Sequence, residues 1–146
     1  MISRRPATPL DRPFACATHH AAYREVVERQ FGPWQELQQD RFFAQSWDGV
    51  PHDILAADGV PVGYCAIEER AHDIHLRELV IAPEAQGRGI GTEVLRQLQE
   101  SSRQTGKPIV LGTFTENRAL ALYTRLGFLP IGRTETHILM EWRARG

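Results

Sequence analysis

The first third of the chain carries apolar residues at helical spacing. Residues 12–31 predict one helix, with Asp11 at the capping position and Gly32 as a stop. Its apolar face comprises Phe14, Ala17, Ala21, Val26 and Val27. A second helix is predicted from Pro33 to about Gln45, because proline is favoured in a first helical turn and apolar residues again recur on one side.

The pattern changes to short apolar runs after residue 51. Runs at 52–57, 60–68 and 75–82 have the length of strands, and the dipeptide Asp58-Gly59 between the first two favours a tight hairpin turn. Pro83 ends the third run. Together these runs predict a meander of three strands.

The last part of the chain alternates helical and strand patterns. Helical spacing predicts a helix over residues 90–104, followed by an apolar strand over 108–114 and a second helix from Asn117 to Leu126. Residues 128–142 predict two terminal strands. Because no linker or repeat interrupts this order, residues 1–146 are expected to form a single α+β domain with one mixed sheet.

Composition narrows the classes of partner. Hydrophobic residues make up 42% of the chain and charged residues 24%, which is typical of a folded globular protein. With 17 basic and 18 acidic side chains, the formal charge of -1 gives no general attraction to nucleic acid or to an anionic membrane. No segment has the pattern of a signal peptide or a membrane span.

The two cysteines carry no familiar motif. Cys16 and Cys65 lie far apart in the chain, with neither CxxC spacing nor the histidine-paired spacing of a zinc motif. We therefore expect no disulfide and no metal ion, and a reducing cytoplasm as the location.

A glycine-rich segment leads from the third predicted strand into a helix. Glycines at 87, 89 and 91 let backbone N–H groups approach an anion, and a helix N-terminus adds unpaired N–H donors and a favourable dipole. Arg88 adds a positive charge. The segment lacks the Gly-Lys-Ser/Thr of a P-loop and the Gly-x-Gly-x-x-Gly spacing of a dinucleotide site. The alternative is an ordinary glycine-rich turn at the start of a helix.

With these residues the chain resembles the GCN5-related N-acetyltransferase (GNAT) superfamily. The superfamily signature Gln/Arg-x-x-Gly-x-Gly/Ala is matched by Gln86, Gly89 and Gly91, and the strand that precedes it ends with the expected apolar run and proline, residues 79–83. Further along, the superfamily's helix is matched by Asn117, Ala119 or Ala121, Tyr123, Gly127 and Phe128. The matched region runs from Leu76 to Phe128, and the elements on either side follow the order found in the superfamily.

The resemblance implies a fold and a cofactor. The fold is a GNAT-like layered α+β domain whose mixed, mostly antiparallel sheet has six to seven strands, with about four helices beside it. Acetyl-coenzyme A (acetyl-CoA) is the expected cofactor. The residues expected to contact it are Leu79, Val80, Ile81, Gln86, Gly87, Arg88, Gly89, Ile90, Gly91, Asn117 and Tyr123. Asn117 is equally well explained as a helix cap, and both roles are compatible.

The resemblance also implies direct transfer of the acetyl group to a primary amine, with a small molecule as the expected acceptor. Tyr123 is expected to protonate the departing thiolate, although a core aromatic is the alternative. His75 is preferred as the base because its ordinary pKa suits proton acceptance, while Glu78 and a chain of water molecules stay open. Tyr23, Trp34 and Glu78 are expected at the acceptor site.

Two other functions stay open at this point. A non-catalytic module that binds or senses acyl-CoA would keep the glycine-rich segment, and a protein or peptide acetyltransferase would differ in its acceptor. The oligomeric state is also open, with a homodimer as one alternative.

Overall fold

A computed structural model of the chain describes residues 2–145. Within this range there are seven strands: β1 (Ile2–Pro6), β2 (Asp53–Ala57), β3 (Val60–Glu69), β4 (Ile74–Ile81), β5 (Ile109–Phe114), β6 (Leu129–Arg133) and β7 (His137–Trp142). The same residues form four α-helices: α1 (Arg12–Phe31), α2 (Glu36–Gly49), α3 (Ile90–Thr105) and α4 (Ala119–Arg125). Short 3-10 turns at Pro9–Asp11 and Pro83–Ala85 precede α1 and follow β4.

The strands form one mixed sheet in the order β1-β2-β3-β4-β5-β7-β6. The pair β4 and β5 is parallel, whereas β1 with β2, β2 with β3, β5 with β7 and β6 with β7 are antiparallel. The prediction of an α+β fold with a mostly antiparallel sheet and about four helices is confirmed. So is the meander β2-β3-β4, whose first turn has positive φ at both Asp58 (50°) and Gly59 (84°), as a tight hairpin requires.

The described chain divides into two compact units. The first contains residues 2–66 and 78–90, and the second contains residues 67–77 and 91–145. Strands β3 and β4 each begin in one unit and end in the other, and α3 crosses the boundary after its first residue.

The first unit has its core under α1 and α2. Ala15 of α1 and Phe43 of α2 are buried with Ile54, Tyr64 and Val80 from β2, β3 and β4. Burying one large apolar side chain contributes about 1.5–3 kcal/mol, so this cluster is a main source of stability for the unit.

The second unit buries the apolar face of α3. Val94, Leu95 and Leu98 are each at most 4% exposed, as their helical spacing predicts. The side-chain amide of Gln99 donates to the carbonyl of Leu126 at 2.9 Å, which ties α3 to the end of α4. Burial of a polar group is tolerated when it is hydrogen-bonded in this way.

Several boundaries and one strand differ from the sequence prediction. Strand β1 was not predicted, because its residues are mostly exposed and include Arg4 and Arg5, so no apolar alternation marks it. Helix α2 begins at Glu36 rather than at Pro33, since Gln35 is still extended (φ -116°, ψ 105°). Helix α4 begins at Ala119 rather than directly after Asn117.

The predicted details of α1 also need correction. Ala17 and Ala21 are exposed, and the buried side contains Thr18 and His19 instead. Asp11 occupies the capping position but makes no capping bond to α1. Its carboxylate accepts a hydrogen bond from the Arg5 guanidinium at 2.8 Å and another from the Thr8 N–H at 2.8 Å. These bonds lower the pKa of the Asp11 carboxyl group.

Gly63 lies where the backbone of β3 comes close to that of β4. A Cβ at this position would lie 2.2 Å from the carbonyl oxygen of Val80 and 3.1 Å from the Cα of Ile81. Because backbone atoms cannot rotate aside, Gly63→Ala should destabilise the fold by about 1–3 kcal/mol, measured by thermal or denaturant unfolding. Gly49→Ala is the control, since Gly49 ends α2 with no atom within 4 Å of the added Cβ. Equal stability of the two variants would contradict the close approach.

Candidate active site

The glycine-rich segment forms an exposed loop between the turn Pro83–Ala85 and α3. Gly87 and Gly89 have φ values of 79° and 78°, which side chains other than glycine rarely adopt. The Gln86 side-chain amide donates to the Ile81 carbonyl at 3.1 Å, and the Arg88 guanidinium donates to the Glu84 carbonyl at 3.2 Å. These two bonds hold the loop against the turn that precedes it.

The backbone N–H groups of this loop fit an anion. Helix α3 begins at Ile90, and the N–H groups of a first helical turn have no partner within the helix. Across residues 2–145, no turn or loop hydrogen bond uses the N–H of residues 87–91. Because residues 86–89 are also exposed, the loop offers unpaired donors that a diphosphate can reach.

Gly91 has a different structural reason to be glycine. A Cβ on Gly91 would lie 3.1 Å from Cδ2 of Leu122, so the missing side chain lets α3 approach α4. The signature position at Gly91 therefore has a packing role in this chain, besides any role at the cofactor.

Strand β4 continues beyond its pairing with β5. The paired residues are Ile74, His75 and Leu76 of β4 with residues 109–111 of β5, whereas β4 itself runs to Ile81. Residues 77–81 thus extend past the parallel ladder. Val80 is 2% exposed with its side chain in the core, so it can offer only backbone groups to a ligand, while Leu79 and Ile81 are half-buried.

Glu78 forms a short hydrogen bond with His52. Its Oε2 lies 2.7 Å from the His52 Nε2, and the His52 Nδ1 lies 2.9 Å from the carbonyl oxygen of Val50. A carbonyl oxygen can only accept, so Nδ1 carries a proton. The contact between Nε2 and Oε2 therefore joins the other ring nitrogen of His52 to the Glu78 carboxyl group.

Aromatic rings surround this pair. The ring of Trp47 lies 4.6 Å from that of His52 and 5.5 Å from those of Phe43 and Tyr64. The Tyr64 hydroxyl is buried and finds no hydrogen-bond partner among the described residues. Burial, and then the negative charge of Glu78, raise the pKa of the Tyr64 phenol well above its usual range. We call residues Phe43, Trp47, His52, Tyr64 and Glu78 the aromatic cluster.

The predicted acceptor residues divide between two places in the first unit. Glu78 belongs to the aromatic cluster, and Tyr23 packs against the core that includes Phe43 and Tyr64. Trp34 makes its contacts elsewhere: its ring lies 5.2 Å from that of His20, and its Nε1 donates to Glu36 at 2.6 Å.

His75, Tyr123 and Asn117 belong to the second unit. The His75 Nδ1 lies 3.0 Å from the Glu68 Oε1, a hydrogen bond that lowers the pKa of Glu68. Tyr123 is 6% exposed, and burial raises the pKa of its phenol to about 12. The Asn117 Oδ1 accepts from the Ala119 N–H at 2.9 Å, so the predicted capping contact is present. The roles of these three residues at the cofactor and in catalysis stay predictions.

Trp47, His52 and Tyr64 of the aromatic cluster were not predicted as site residues from the sequence. His52 and Tyr64 stand in short apolar runs, which carry no chemical motif. The sequence indicates no zinc motif, yet the Sγ of Cys16 lies 3.8 Å from the His20 Nε2, one helical turn away. Cys65 is fully buried, and burial raises the pKa of its thiol to about 12.

Comparison with known proteins decides the family. The sequence model of a protein family, described as the acetyltransferase (GNAT) family, matches residues 19–128, which is most of the chain. The chain belongs to the GNAT family. It is similar to an uncharacterized N-acetyltransferase of Methanocaldococcus jannaschii, with 32% identity over 103 residues. That match covers 68% of this GNAT chain but only 44% of the relative.

Solved structures share the fold. The crystal structure of the PaiA N-acetyltransferase from Thermoplasma acidophilum in complex with coenzyme A has a TM-score of 0.77, with 16% identity and 99% of each chain covered. A ribosomal-protein-alanine N-acetyltransferase from Brucella melitensis has a TM-score of 0.60, with 24% identity and coverage of 97% of this chain and 99% of that one. Among the residues that the structure of this GNAT chain describes, no helix is both long and apolar enough to cross a membrane.

Tyr64 of this GNAT chain allows a test that separates stability from ligand binding. Since a buried hydroxyl without a partner is destabilising, Tyr64→Phe should raise the free energy of unfolding by about 1 kcal/mol. If an acceptor uses this hydroxyl, the same change should raise the KM for the acceptor roughly 3–10-fold. Thr113→Val is the comparison, because the Thr113 hydroxyl is the other buried group found without a partner in residues 2–145. A Tyr64→Phe variant that is less stable, with an unchanged KM, would contradict this interpretation.

Proposed function

We propose that this chain transfers the acetyl group of acetyl-CoA to a primary amine of a small molecule, with residues 1–146 acting as one catalytic domain. The observation that carries the proposal is the exposed loop at residues 86–89, together with the N–H groups of residues 87–91, which no turn or loop hydrogen bond of the described chain uses. Membership of the GNAT family and the similar fold of a protein crystallised with coenzyme A support it. We place the reaction in the cytoplasm, where the two free cysteines stay reduced.

Three groups of residues would hold acetyl-CoA. Gln86, Gly87, Arg88, Gly89, Ile90 and Gly91 would bind the diphosphate through backbone N–H groups and the Arg88 charge. The backbone of residues 79–81 is extended and lies beyond the ladder with β5, so it can pair with the amides of a pantetheine arm. Asn117 and Tyr123 complete the set. Bound there, acetyl-CoA supplies a thioester as the acetyl donor.

The aromatic cluster is the proposed acceptor subsite. The Glu78 carboxylate attracts an ammonium group, and neighbouring Trp and Tyr rings favour a cation through their π faces. The Tyr64 hydroxyl, which has no partner in the described residues, can accept a hydrogen bond from the amine or donate one to the acceptor. Tyr23 packs at the edge of the same core. These features favour a cationic amine.

Glu78 is the base that the geometry favours, with His75 as the alternative. Glu78 is in hydrogen-bond contact with the imidazole ring of His52, and aromatic rings lie beside that pair. His75 is instead engaged by Glu68, and Arg77 lies 3.6 Å from the same carboxylate oxygen. Removal of one proton from the ammonium leaves a lone pair for the new N–C bond.

Tyr123 is the proposed acid. Its phenol stays protonated at neutral pH because its pKa is raised to about 12. It can therefore donate to the thiolate that leaves when the C–S bond breaks. Over one turnover the ammonium loses two protons: Glu78 takes one before the N–C bond forms and passes it to solvent, and the second leaves the nitrogen after the bond has formed. The second proton balances the one that Tyr123 gives to the thiolate.

The identity of the base is tested by Glu78→Gln and His75→Gln. Loss of a general base reduces the rate by about 100-fold or more, so Glu78→Gln should lower kcat by that factor while His75→Gln changes it less than about threefold. Rates are measured across pH 6–10, since a variant without its base should regain activity at alkaline pH, where the amine deprotonates unaided. The opposite ranking would restore His75 as the base, and two near-normal variants would favour a chain of water molecules.

Catalysis itself is tested by Tyr123→Phe on a panel of polyamines, amino acids, aminoglycosides and peptide N-termini. Coenzyme A release should fall about 100-fold, whereas coenzyme A at a hundred times its Kd should still stabilise the variant by about 2.7 kcal/mol. Thr124→Val removes a neighbouring hydroxyl from α4, where Thr124 bonds the Leu120 carbonyl, and serves as the control. Stabilisation by coenzyme A without turnover of any amine would indicate the non-catalytic binding module. No stabilisation would refute the proposal.

One observation favours a second acceptor class. The fold is similar to that of a ribosomal-protein-alanine N-acetyltransferase, whose acceptor by its name is a protein. A peptide acceptor would give turnover with peptide N-termini in the same panel and little with free amines.

A further inference from the structure

A cluster of metal-binding side chains lies on α1 and α2, outside the proposed site. Cys16 and His20 are four residues apart on α1, so they share one face of the helix, and Glu36 and Asp40 do the same on α2. The two faces meet: the His20 Nε2 lies 2.6 Å from the Asp40 Oδ1 and 3.6 Å from the Glu36 Oε1. The Cys16 Sγ lies 3.8 Å from the same nitrogen.

We propose that Cys16, His20, Glu36 and Asp40 form a binding site for Zn²⁺ that joins α1 to α2. Thiolate, imidazole and carboxylate are the ligands that Zn²⁺ takes in proteins, and four of them form a tetrahedron. The candidate ligand atoms of Cys16, His20 and Asp40 all lie within 4.8 Å of one another.

The distances fit a tetrahedral ion after a small adjustment. With Zn–S near 2.3 Å and Zn–N or Zn–O near 2.0–2.1 Å, neighbouring ligand atoms stand roughly 3.3–3.6 Å apart. The distances from the His20 Nε2 to Cys16 and to Glu36, 3.8 and 3.6 Å, are already close to this spacing. Of the three distances from the His20 Nε2, the hydrogen bond to Asp40 must open, by roughly 0.7 Å.

Neighbouring groups orient two of the four ligands. The His20 Nδ1 lies 2.9 Å from the His19 Nδ1, so a metal on Nε2 leaves the Nδ1 proton with an acceptor. The Trp34 Nε1 donates to the Glu36 Oε2 at 2.6 Å, which leaves Oε1 facing His20. Such outer hydrogen bonds are a regular feature of protein metal sites, because they fix the tautomer and the direction of a ligand.

An ordinary ion pair explains less of this arrangement. A bond between His20 and Asp40 needs two side chains, and it gives no reason for a thiol and a second carboxylate to face the same nitrogen. The site is also reachable from solvent, since the side chains of Asp40 and Glu36 are 48% and 63% exposed while that of His20 is 15% exposed. Oxygen-only ions such as Mg²⁺ are disfavoured by the cysteine and histidine.

The test uses the full chain without an affinity tag, treated with a chelator and then titrated with Co²⁺ as a spectroscopic substitute for Zn²⁺. We expect a sulfur-to-cobalt charge-transfer band and tetrahedral ligand-field bands that saturate at one equivalent and disappear when Zn²⁺ is added. Cys16→Ser should lose the charge-transfer band, and Asp40→Asn should weaken Co²⁺ binding at least tenfold. Cys65→Ala is the control and should keep both signals, because Cys65 is buried in β3 away from the cluster.

Three outcomes would overturn the site: no cobalt spectrum at one equivalent, an unchanged charge-transfer band in Cys16→Ser, or loss of that band in Cys65→Ala. Asp40→Asn keeps the test decisive if Cys16→Ser fails to fold, because Asp40 is half exposed and its amide preserves the shape of the side chain. Binding of equal strength in Asp40→Asn and in the natural chain would also refute the proposal. None of these measurements depends on acetyl transfer.

Discussion

The incomplete pairing of β4 is the constraint on which the rest of the candidate site depends. A strand has N–H and C=O groups on both edges, and each group needs a partner. The parallel ladder with β5 ends at Leu76, yet β4 stays extended to Ile81, where Pro83 turns the chain into the glycine-rich loop. On its other side, β4 is approached so closely by β3 that only glycine fits at position 63. The strand is thus fixed along one edge, while residues 77–81 lie beyond its ladder with β5 on the other.

The sequence predicted those parts of the fold in which local pattern and tertiary burial agree. Helix α3 has a regular apolar face and the Asp58-Gly59 turn has a required backbone conformation, so both were found with nearly correct bounds. Strand β1 could not be found, because an edge strand with exposed arginines is held by backbone hydrogen bonds to β2 rather than by apolar burial. The buried face of α1 was misplaced because it includes His19, whose ring is accommodated by Tyr23 and Phe43 and not by an apolar pattern.

The candidate site also has one part that local sequence pattern predicts and another that depends on tertiary packing. The loop at Gln86–Gly91 is a linear motif, so spacing alone located it. The hydrogen bond between Glu78 and His52 joins residues that are far apart in sequence, so no local pattern predicts it. The Tyr64 hydroxyl is recognised as a candidate only from its burial and its lack of a partner among the described residues. Cys16 and His20 are adjacent on a helix and could have been noticed from their spacing of four, but Glu36 and Asp40 reach them only through the packing of α1 on α2.

The first unit contains a buried polar group that lowers its folding stability, which suggests that the group serves a function. A buried phenol hydroxyl without a partner opposes folding, and a core selected for stability alone would replace the phenol with phenylalanine. Departures from local rules tend to concentrate at functional sites, and the unpartnered hydroxyl of Tyr64 is such a departure among the described residues of this unit. Because α1 and α2 supply the rings around Tyr64, any ion that joins these helices at Cys16, His20, Glu36 and Asp40 would also limit how far the aromatic cluster can rearrange around an acceptor.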